Sequence, residues 1–336
     1  MLNKKKILIT GGTGSFGKKF VDMVLRKYKP KKLIIYSRDE QKQFQMKEKW
    51  NDDGNSPLRY FIGDVRDLDR LKFALNDVDV VVHAAALKHV DIAEYNPFEV
   101  VKTNILGAQN LIEACLFNKV KKVVALSTDK ASSPVNLYGA SKLTSDKLFA
   151  AANNYKGKNP TIFSIVRYGN VAGSRGSVIP IFKKLKNSNF FPITSKKMTR
   201  FNITLEEGVN FVIFCLSKMW GGEIFVPKIP SYRILDLAKA INPKAKIKIK
   251  GVRPGEKIDE EMISVNDAPN TLENKKYYVI IPNSKFLDWN IQDYKKSDKS
   301  FKFCPEGFSY NSRTNKIFLK PSEIRKIINL NIQDIN

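Results

Sequence analysis

The sequence predicts an α/β protein whose core is a doubly wound parallel sheet. Three observations carry that expectation. Short apolar runs alternate with helical patterns along the first half of the 336-residue chain, as in βαβ units whose sheet is covered on both faces. A glycine-rich turn, Gly11 to Gly17, lies between the first run and the first helical pattern. After Arg167 the texture changes to loop signals at Gly169, Gly173, Gly176 and Pro180, which marks a smaller, discontinuous second α/β region. Together these describe a Rossmann-type sheet with an accessory region closing over its edge.

The expected strands of the first half are Ile7 to Thr10, Lys32 to Tyr36, Leu58 to Ile62, Val78 to His83, Val123 to Leu126 and Thr161 to Val166. Helical patterns occupy Lys18 to Tyr28, Glu40 to Asn51, Leu68 to Leu75, Pro97 to Asn118 and Tyr138 to Asn153. A short helix is expected at Pro180 to Lys186. A longer one, Thr204 to Met219, opens on a capping box between Thr204 and Glu207 and stops at Gly221-Gly222, before a strand at Glu223 to Ile229. Pro243, Pro254, Pro269 and Pro282 make the remainder more irregular. The division that follows is a nucleotide-binding domain over 1–173, completed by 203–230, and a substrate-binding region over 174–202 and 231–336.

Composition narrows the function classes. With 43% apolar residues the chain can bury a substantial core, and no apolar run approaches the length of a bilayer crossing, so a cytoplasmic protein without a membrane partner is expected. Three cysteines at unrelated spacings and two histidines support neither a disulfide framework nor a metal site. The net charge of +25 is spread over the whole chain rather than gathered in one arm, so a nucleic-acid partner is not expected; anionic substrates would be attracted.

Glycines at a strand-to-helix turn let the backbone approach a pyrophosphate, and the helix amino terminus adds free N–H groups. Gly11, Thr13, Gly14, Ser15, Phe16 and Gly17 are therefore expected to cradle a dinucleotide. At the end of the second strand, Ser37-Arg38 replaces the usual acid, and Arg38 suits a 2′-phosphate, which favours NADP. Asp39 stands one residue late for a ribose contact. Asp64 and Val65 lie where an adenine edge is read, although Asp64 also suits a loop cap. Further along, Ser127-Thr128-Asp129-Lys130 falls at the carboxyl end of a buried strand, where open α/β sheets carry their ligands. Tyr138 and Lys142 stand four apart on one helical face. Lys88 follows the fourth strand and suits contact with cofactor or sugar, and Asn170 follows the sixth. Arg175, Arg200 and Arg253 are candidate diphosphate or uridine contacts, with solvated or packing roles as the alternative.

These residues resemble the extended short-chain dehydrogenase/reductase family, through Gly11 to Gly17, His83-Ala84-Ala85-Ala86 and the Tyr138/Lys142 pair. The motifs Ser127-Thr128-Asp129-Lys130-Ala131, Arg167-Tyr168-Gly169-Asn170-Val171, Met198-Thr199-Arg200-Phe201 and Arg253-Pro254-Gly255-Glu256-Lys257 narrow the resemblance. They are similar to those of the inverting UDP-N-acetylglucosamine 4,6-dehydratases that open pseudaminic acid synthesis. The resemblance runs from about Ile7 to Ile281, and membrane-anchored relatives carry methionine where this chain has Tyr138.

What the resemblance implies is a tightly bound, recycled NADP, with Ala84, Ala85, Tyr138, Lys142 and Lys88 among its contacts. It also implies UDP-N-acetylglucosamine as substrate, held by Lys88, Asn170, Arg175, Thr199, Arg200, Arg253 and Glu256, and a homo-oligomer. In the implied chemistry Tyr138, its pKa lowered by Lys142 and the nicotinamide charge, takes the C4 hydroxyl proton, and Thr128 or Ser127 bonds the same hydroxyl. Asp129, protonated, donates to the departing C6 hydroxyl, and Lys130, kept neutral by a dry site, governs C5. A related UDP-sugar dehydratase/epimerase of N-acetyl-L-fucosamine synthesis is the alternative.

Overall fold

A computed structural model describes residues 1–50, 56–174, 178–188, 190–244, 246–282 and 289–330. In chain order the first half runs β1 (Lys6–Thr10), α1 (Ser15–Lys27), β2 (Lys32–Ser37), α2 (Glu40–Lys49), β3 (Leu58–Ile62), α3 (Leu68–Ala74) and β4 (Val80–His83). It continues with α4 (Val90–Tyr95), α5 (Pro97–Val100), a π-helical turn (Val101–Leu106), α6 (Gly107–Phe117), β5 (Lys122–Thr128), a 3₁₀ turn (Asp129–Ala131), α7 (Leu137–Tyr155) and β6 (Ile162–Tyr168).

The second half comprises β7 (Asn170–Val171), α8 (Val178–Lys184), β8 (Phe190–Ile193), β9 (Thr199–Ile203), α9 (Leu205–Lys218), β10 (Ile224–Pro227), β11 (Ser231–Arg233), α10 (Ile234–Ile241) and β12 (Lys246–Ile249). It ends with β13 (Glu261–Ile263), β14 (Thr271–Glu273), β15 (Tyr277–Ile280), α11 (Ile291–Lys296), β16 (Lys302–Phe303), β17 (Tyr310–Asn311) and α12 (Pro321–Leu330).

The main sheet has the order β16-β14-β15-β10-β6-β5-β4-β1-β2-β3, and β3 through β10 in that row pair in parallel. Chain order reverses between β1 and β4, and that switch point opens the crevice in which α/β sheets hold ligands. Side chains alternate across β1 as the pleat requires: Ile7 and Ile9 join one core layer, and Leu8 joins the other. Full burial of each such side chain stabilises the fold by about 1.5–3 kcal/mol.

A third cluster, with Ile179, Phe182, Phe191, Ile193, Met198, Tyr232, Leu237 and Ile324, gives the accessory region its own core. The expected division changes in one respect. β14, β15 and β16, from the segment assigned to substrate binding, continue the main sheet by antiparallel pairing beyond β10. Their strands are three, four and two residues long, too short for a periodicity that separates them from loop.

The helix expected over Pro97 to Asn118 is interrupted by its π turn. There Asn104, 2% exposed, turns inward to donate to the Leu87 carbonyl and accept from the Leu87 N–H. One extra residue per turn re-aims a side chain in this way, and apolar periodicity does not reveal it. Helix α9 begins as expected, with Thr204 accepting from the Glu207 N–H and Glu207 accepting from the Thr204 N–H.

Candidate active site

The nucleotide cradle follows from backbone that only glycine permits. Gly11 has φ +65°, and a Cβ there would lie 2.8 Å from the Ala85 nitrogen. At Gly17 a Cβ would collide with the backbone of Gly12, so glycine lets α1 approach the turn that precedes it. The cavity beside this turn, about 270 Å³, is lined by Gly11, Thr13, Gly14, Ser37, Arg38, Asp64, Val65, Ala84 and Ala85, all expected at a cofactor. The Thr13 and Ser37 hydroxyls hydrogen-bond at 2.8 Å and tie the turn to β2. Ser15 begins α1, and Phe16 packs against Phe20 and the core instead of the cavity. These features fit a dinucleotide, with the pyrophosphate at the α1 amino terminus.

Two acids of this cavity are already engaged. Asp39 caps α2, accepting from the Lys42 N–H at 2.9 Å, and it ion-pairs the Lys42 ammonium. Lys42 also lines the cavity beside Arg38, a second cation that the sequence reading did not single out. Asp64 accepts from Arg66 Nε at 2.9 Å and from the Arg66 N–H at 3.0 Å; burial works against ionisation, yet these bonds and Arg38 lower its pKa.

The residues expected to react come from β5, the turn after it and α7. Ser127 donates to buried Asp146 at 2.6 Å, so of the two expected hydroxyls only Thr128 remains directed to the site. Thr128 donates to Asp129 Oδ1 at 2.9 Å, and its hydroxyl acts to favour the Tyr138 phenolate. Asn136 caps α7 through the Gly139 N–H at 2.8 Å. A Cβ at Gly139 would collide with the Lys130 carbonyl oxygen, so the 3₁₀ turn lies directly on α7.

Lys130 Nζ stands 3.1 Å from Asp129 Oδ1 and 2.9 Å from Glu260 Oε1. Glu260 is buried between two cations, with Arg200 Nε at 3.6 Å. The only sequence signal for it is its place in the acidic run Asp259-Glu260-Glu261, and such runs are usually solvated.

The protonation balance differs from expectation at two residues. Burial pushes the Tyr138 phenol up to about 12 despite the opposing charge of Lys130 and the Thr128 hydrogen bond. Lys142, expected to favour the phenolate together with the nicotinamide charge, is itself buried, and desolvation lowers its own pKa against the attraction of Asp146. Burial favours a neutral Lys130, but Asp129 and Glu260 outweigh it and raise its pKa, so the ammonium form prevails. Burial raises the Asp129 pKa, the direction expected, though Lys130 pulls the other way, so the two side chains compete for a single proton.

A cleft of about 820 Å³ adjoins these groups, lined by Lys88, Lys130, Asn170, Arg200, Arg253, Glu256, Lys257 and Glu260 among others. Such a volume suits a nucleotide sugar-sized ligand. Lys88 lines this cleft and not the nucleotide cavity. Arg253 lies at the mouth, paired to Glu256 at 3.2 Å and to Asp91 at 3.2 Å. Thr199 does not line the cleft: its hydroxyl donates to Asp259 at 2.7 Å and meets Ser312 at 2.7 Å, because β9 packs there against the segment before β13. Arg200 spends much of its guanidinium on the carbonyls of Thr199, Ile258 and Lys257. Arg175 lies outside the described residues.

Residues 7–282 match the family described as polysaccharide biosynthesis protein. The chain belongs to that family. This polysaccharide biosynthesis family member is 56% identical to a Campylobacter jejuni protein named UDP-N-acetylglucosamine 4,6-dehydratase (inverting), over 98% of each chain. It is 39% identical to a Rickettsia bellii protein named UDP-glucose 4-epimerase, over 93% of each. A crystal structure of Pen from Bacillus thuringiensis superposes with a TM-score of 0.87 at 37% identity, covering 99% of each chain. The polysaccharide biosynthesis family member thus shares its sheet and accessory region with Pen.

Proposed function

We propose that the protein is an NADP-dependent, configuration-inverting UDP-N-acetylglucosamine 4,6-dehydratase, a lyase opening pseudaminic acid synthesis as a cytoplasmic, self-associating enzyme. The observation that carries this reading is the Asp129–Lys130 pair, in contact at 3.1 Å, with buried Asp129 behind it and Lys130 lining the sugar-sized cleft. The 56% identity to a protein of that name supports it. Arg38 and Lys42, together in the nucleotide cavity, support NADP through the charge they present to a 2′-phosphate.

When bound, the nicotinamide supplies an acceptor for hydride from C4 and returns it at C6. Tyr138 takes the C4 hydroxyl proton as a phenolate, its own proton first released to solvent and its charge favoured by Lys142 and by the positive nicotinamide when bound. Lys142, buried one helical turn away, holds the ribose and lends positive charge. The C5 proton, acidified by the C4 ketone, passes to Lys130 while Asp129 protonates the departing C6 oxygen. For Lys130 to act as base, its ammonium proton first moves to Asp129 Oδ1 across their 3.1 Å contact, which leaves an amine and a carboxylic acid in place of the ion pair. C5 is then protonated on the opposite face by a proton drawn from solvent, and Tyr138 releases the C4 hydroxyl proton to solvent in its place.

Proton NMR and mass spectrometry of the product formed in D₂O test the reading. The expected product is UDP-2-acetamido-2,6-dideoxy-β-L-arabino-hex-4-ulose carrying deuterium at C5. Retained C5 configuration, further C3 epimerisation, or a C4 epimer that keeps its C6 hydroxyl overturns it. Tyr138→Phe is expected to lower kcat at least ~10²-fold.

A further inference from the structure

We infer that Glu260 is a positioning residue for the Asp129–Lys130 pair: a fixed anion that holds the Lys130 amine between two carboxylates and keeps one proton on the pair. The inference rests on the proposed function and deepens it.

The geometry begins with a carboxylate that cannot wander. The Glu260 N–H donates to Ser312 Oγ at 2.9 Å, and the Ser312 N–H returns a bond to the Glu260 carbonyl at 2.8 Å. Ser312 is held in turn by Thr199 at 2.7 Å. Arg200 grips the backbone just upstream, donating to the carbonyls of Lys257 and Ile258, both at 2.9 Å, while its Nε stands 3.6 Å from Glu260 Oε1. Thr199 and Arg200, expected at the substrate, thus brace the segment that carries Glu260. The opposite side is equally fixed, because Gly139 presses the Lys130 backbone onto α7 and Thr128 Oγ1 accepts the Lys130 N–H at 3.4 Å.

Between the two supports the Lys130 side chain lines the cleft and is 23% exposed, against 2% for Glu260. Glu260 Oε2 and Asp129 Oδ2 are both buried without a hydrogen-bond partner among the described residues. An unpaired buried carboxylate oxygen is costly, which favours a proton or a ligand hydroxyl at that spot.

Several charges face Lys130: Asp129 and Glu260, then Arg200, Lys88 and Lys257, with the phenols of Tyr138 and Tyr232. The two carboxylates stand closest. Glu260 attracts protons to both members of the pair, so it favours retention of their shared proton whichever member carries it. Removing its charge therefore releases that proton at lower pH.

Lysine Nζ NMR of the protein, with Lys130→Arg to assign the resonance, and pH–rate profiles are the tests. In Glu260→Gln the Lys130 titration and the alkaline limb of kcat are expected to move down by about one unit, with kcat reduced ~10-fold or more and KM within about threefold. Glu260→Asp keeps the charge, so its limb is expected within about 0.3 unit of wild type although kcat falls. An unmoved Lys130 titration in Glu260→Gln, equal displacement in both variants, or a raised KM with unchanged kcat overturns the inference. Should Glu260→Gln fail to fold, a Glu260→Asp limb displaced by a full unit overturns it and an undisplaced one supports it. A wild-type protein that forms no 4-keto-6-deoxy product refutes the proposed function alone, because the Lys130 titration reads Glu260 without turnover.

Discussion

At the residue scale, the site places charges at the ends of sheet strands and then decides by burial which of them persist. Arg38 is half exposed at the mouth of the nucleotide cavity, while neighbouring Asp39 is occupied by the α2 cap and Lys42. An acid tied down in this way does not compete for a ribose, and the Arg38 guanidinium, 3.5 Å from Asp64, lines the cavity where it can meet a phosphate. Arg38→Ser is therefore expected to weaken NADP⁺ binding ~10- to 100-fold, the loss of about 1.5–3 kcal/mol of charged hydrogen bonds, with NAD⁺ affinity changed by less than about threefold. Nucleotide titration by fluorescence checks this. Equal loss for both nucleotides would remove Arg38 from cofactor choice. Arg38, Tyr138, Lys142, Asp129 and Lys130 were legible in the sequence because each sits at a fixed offset from a strand end or on one helical face. Glu260 was not, because its importance comes from a contact across 130 positions of chain.

At the element scale, the decisive contact is that between the 3₁₀ turn Asp129–Ala131 and the first turn of α7. Close approach there depends on Gly139, whose missing Cβ leaves room for the Lys130 carbonyl. Gly139→Ala is expected to push the turn outward, lowering kcat more than ~10-fold while the protein stays folded and binds nucleotide, since the cradle at Gly11 to Gly17 is remote from it. Steady-state rates with a parallel binding titration check this; a rate within twofold of wild type would show that the turn tolerates the displacement. The π turn at Val101–Leu106 belongs to the same scale. It looks helical in sequence because its residues keep an apolar pattern, and only the inward turn of Asn104 shows what the irregularity achieves.

At the scale of the whole molecule, a buried acid joins the two halves of the chain. Glu223, just before β10, accepts from the Trp220 N–H at 2.6 Å and the Gly221 N–H at 2.7 Å. Trp220 packs against Trp289 and Tyr294 from the C-terminal segment, and Trp289 donates to the Gly221 carbonyl at 2.9 Å. Burial pushes the Glu223 carboxyl from 4.5 up to about 7 in spite of those backbone bonds. A group whose folded pKa is raised contributes stability that is complete below its unfolded pKa and is lost as pH rises through the folded one. Stability is thus expected to fall by up to about 3 kcal/mol between pH ~4.5 and ~8 through this residue. Thermal melts across that range should show a slope that Glu223→Gln flattens; an unchanged slope would assign the titration elsewhere. The parallel sheet, the cradle and the reacting segment from Thr128 to Lys142 were readable from the chain alone, because strand-end position and helical spacing are local properties. The antiparallel extension through β14 to β16, the bracing role of Thr199, the raised pKa of Tyr138 and the clasp of Glu260 on Lys130 were decided only by the tertiary structure. Each depends on which distant segments share a buried volume, and burial and pairwise charge have no counterpart in sequence order.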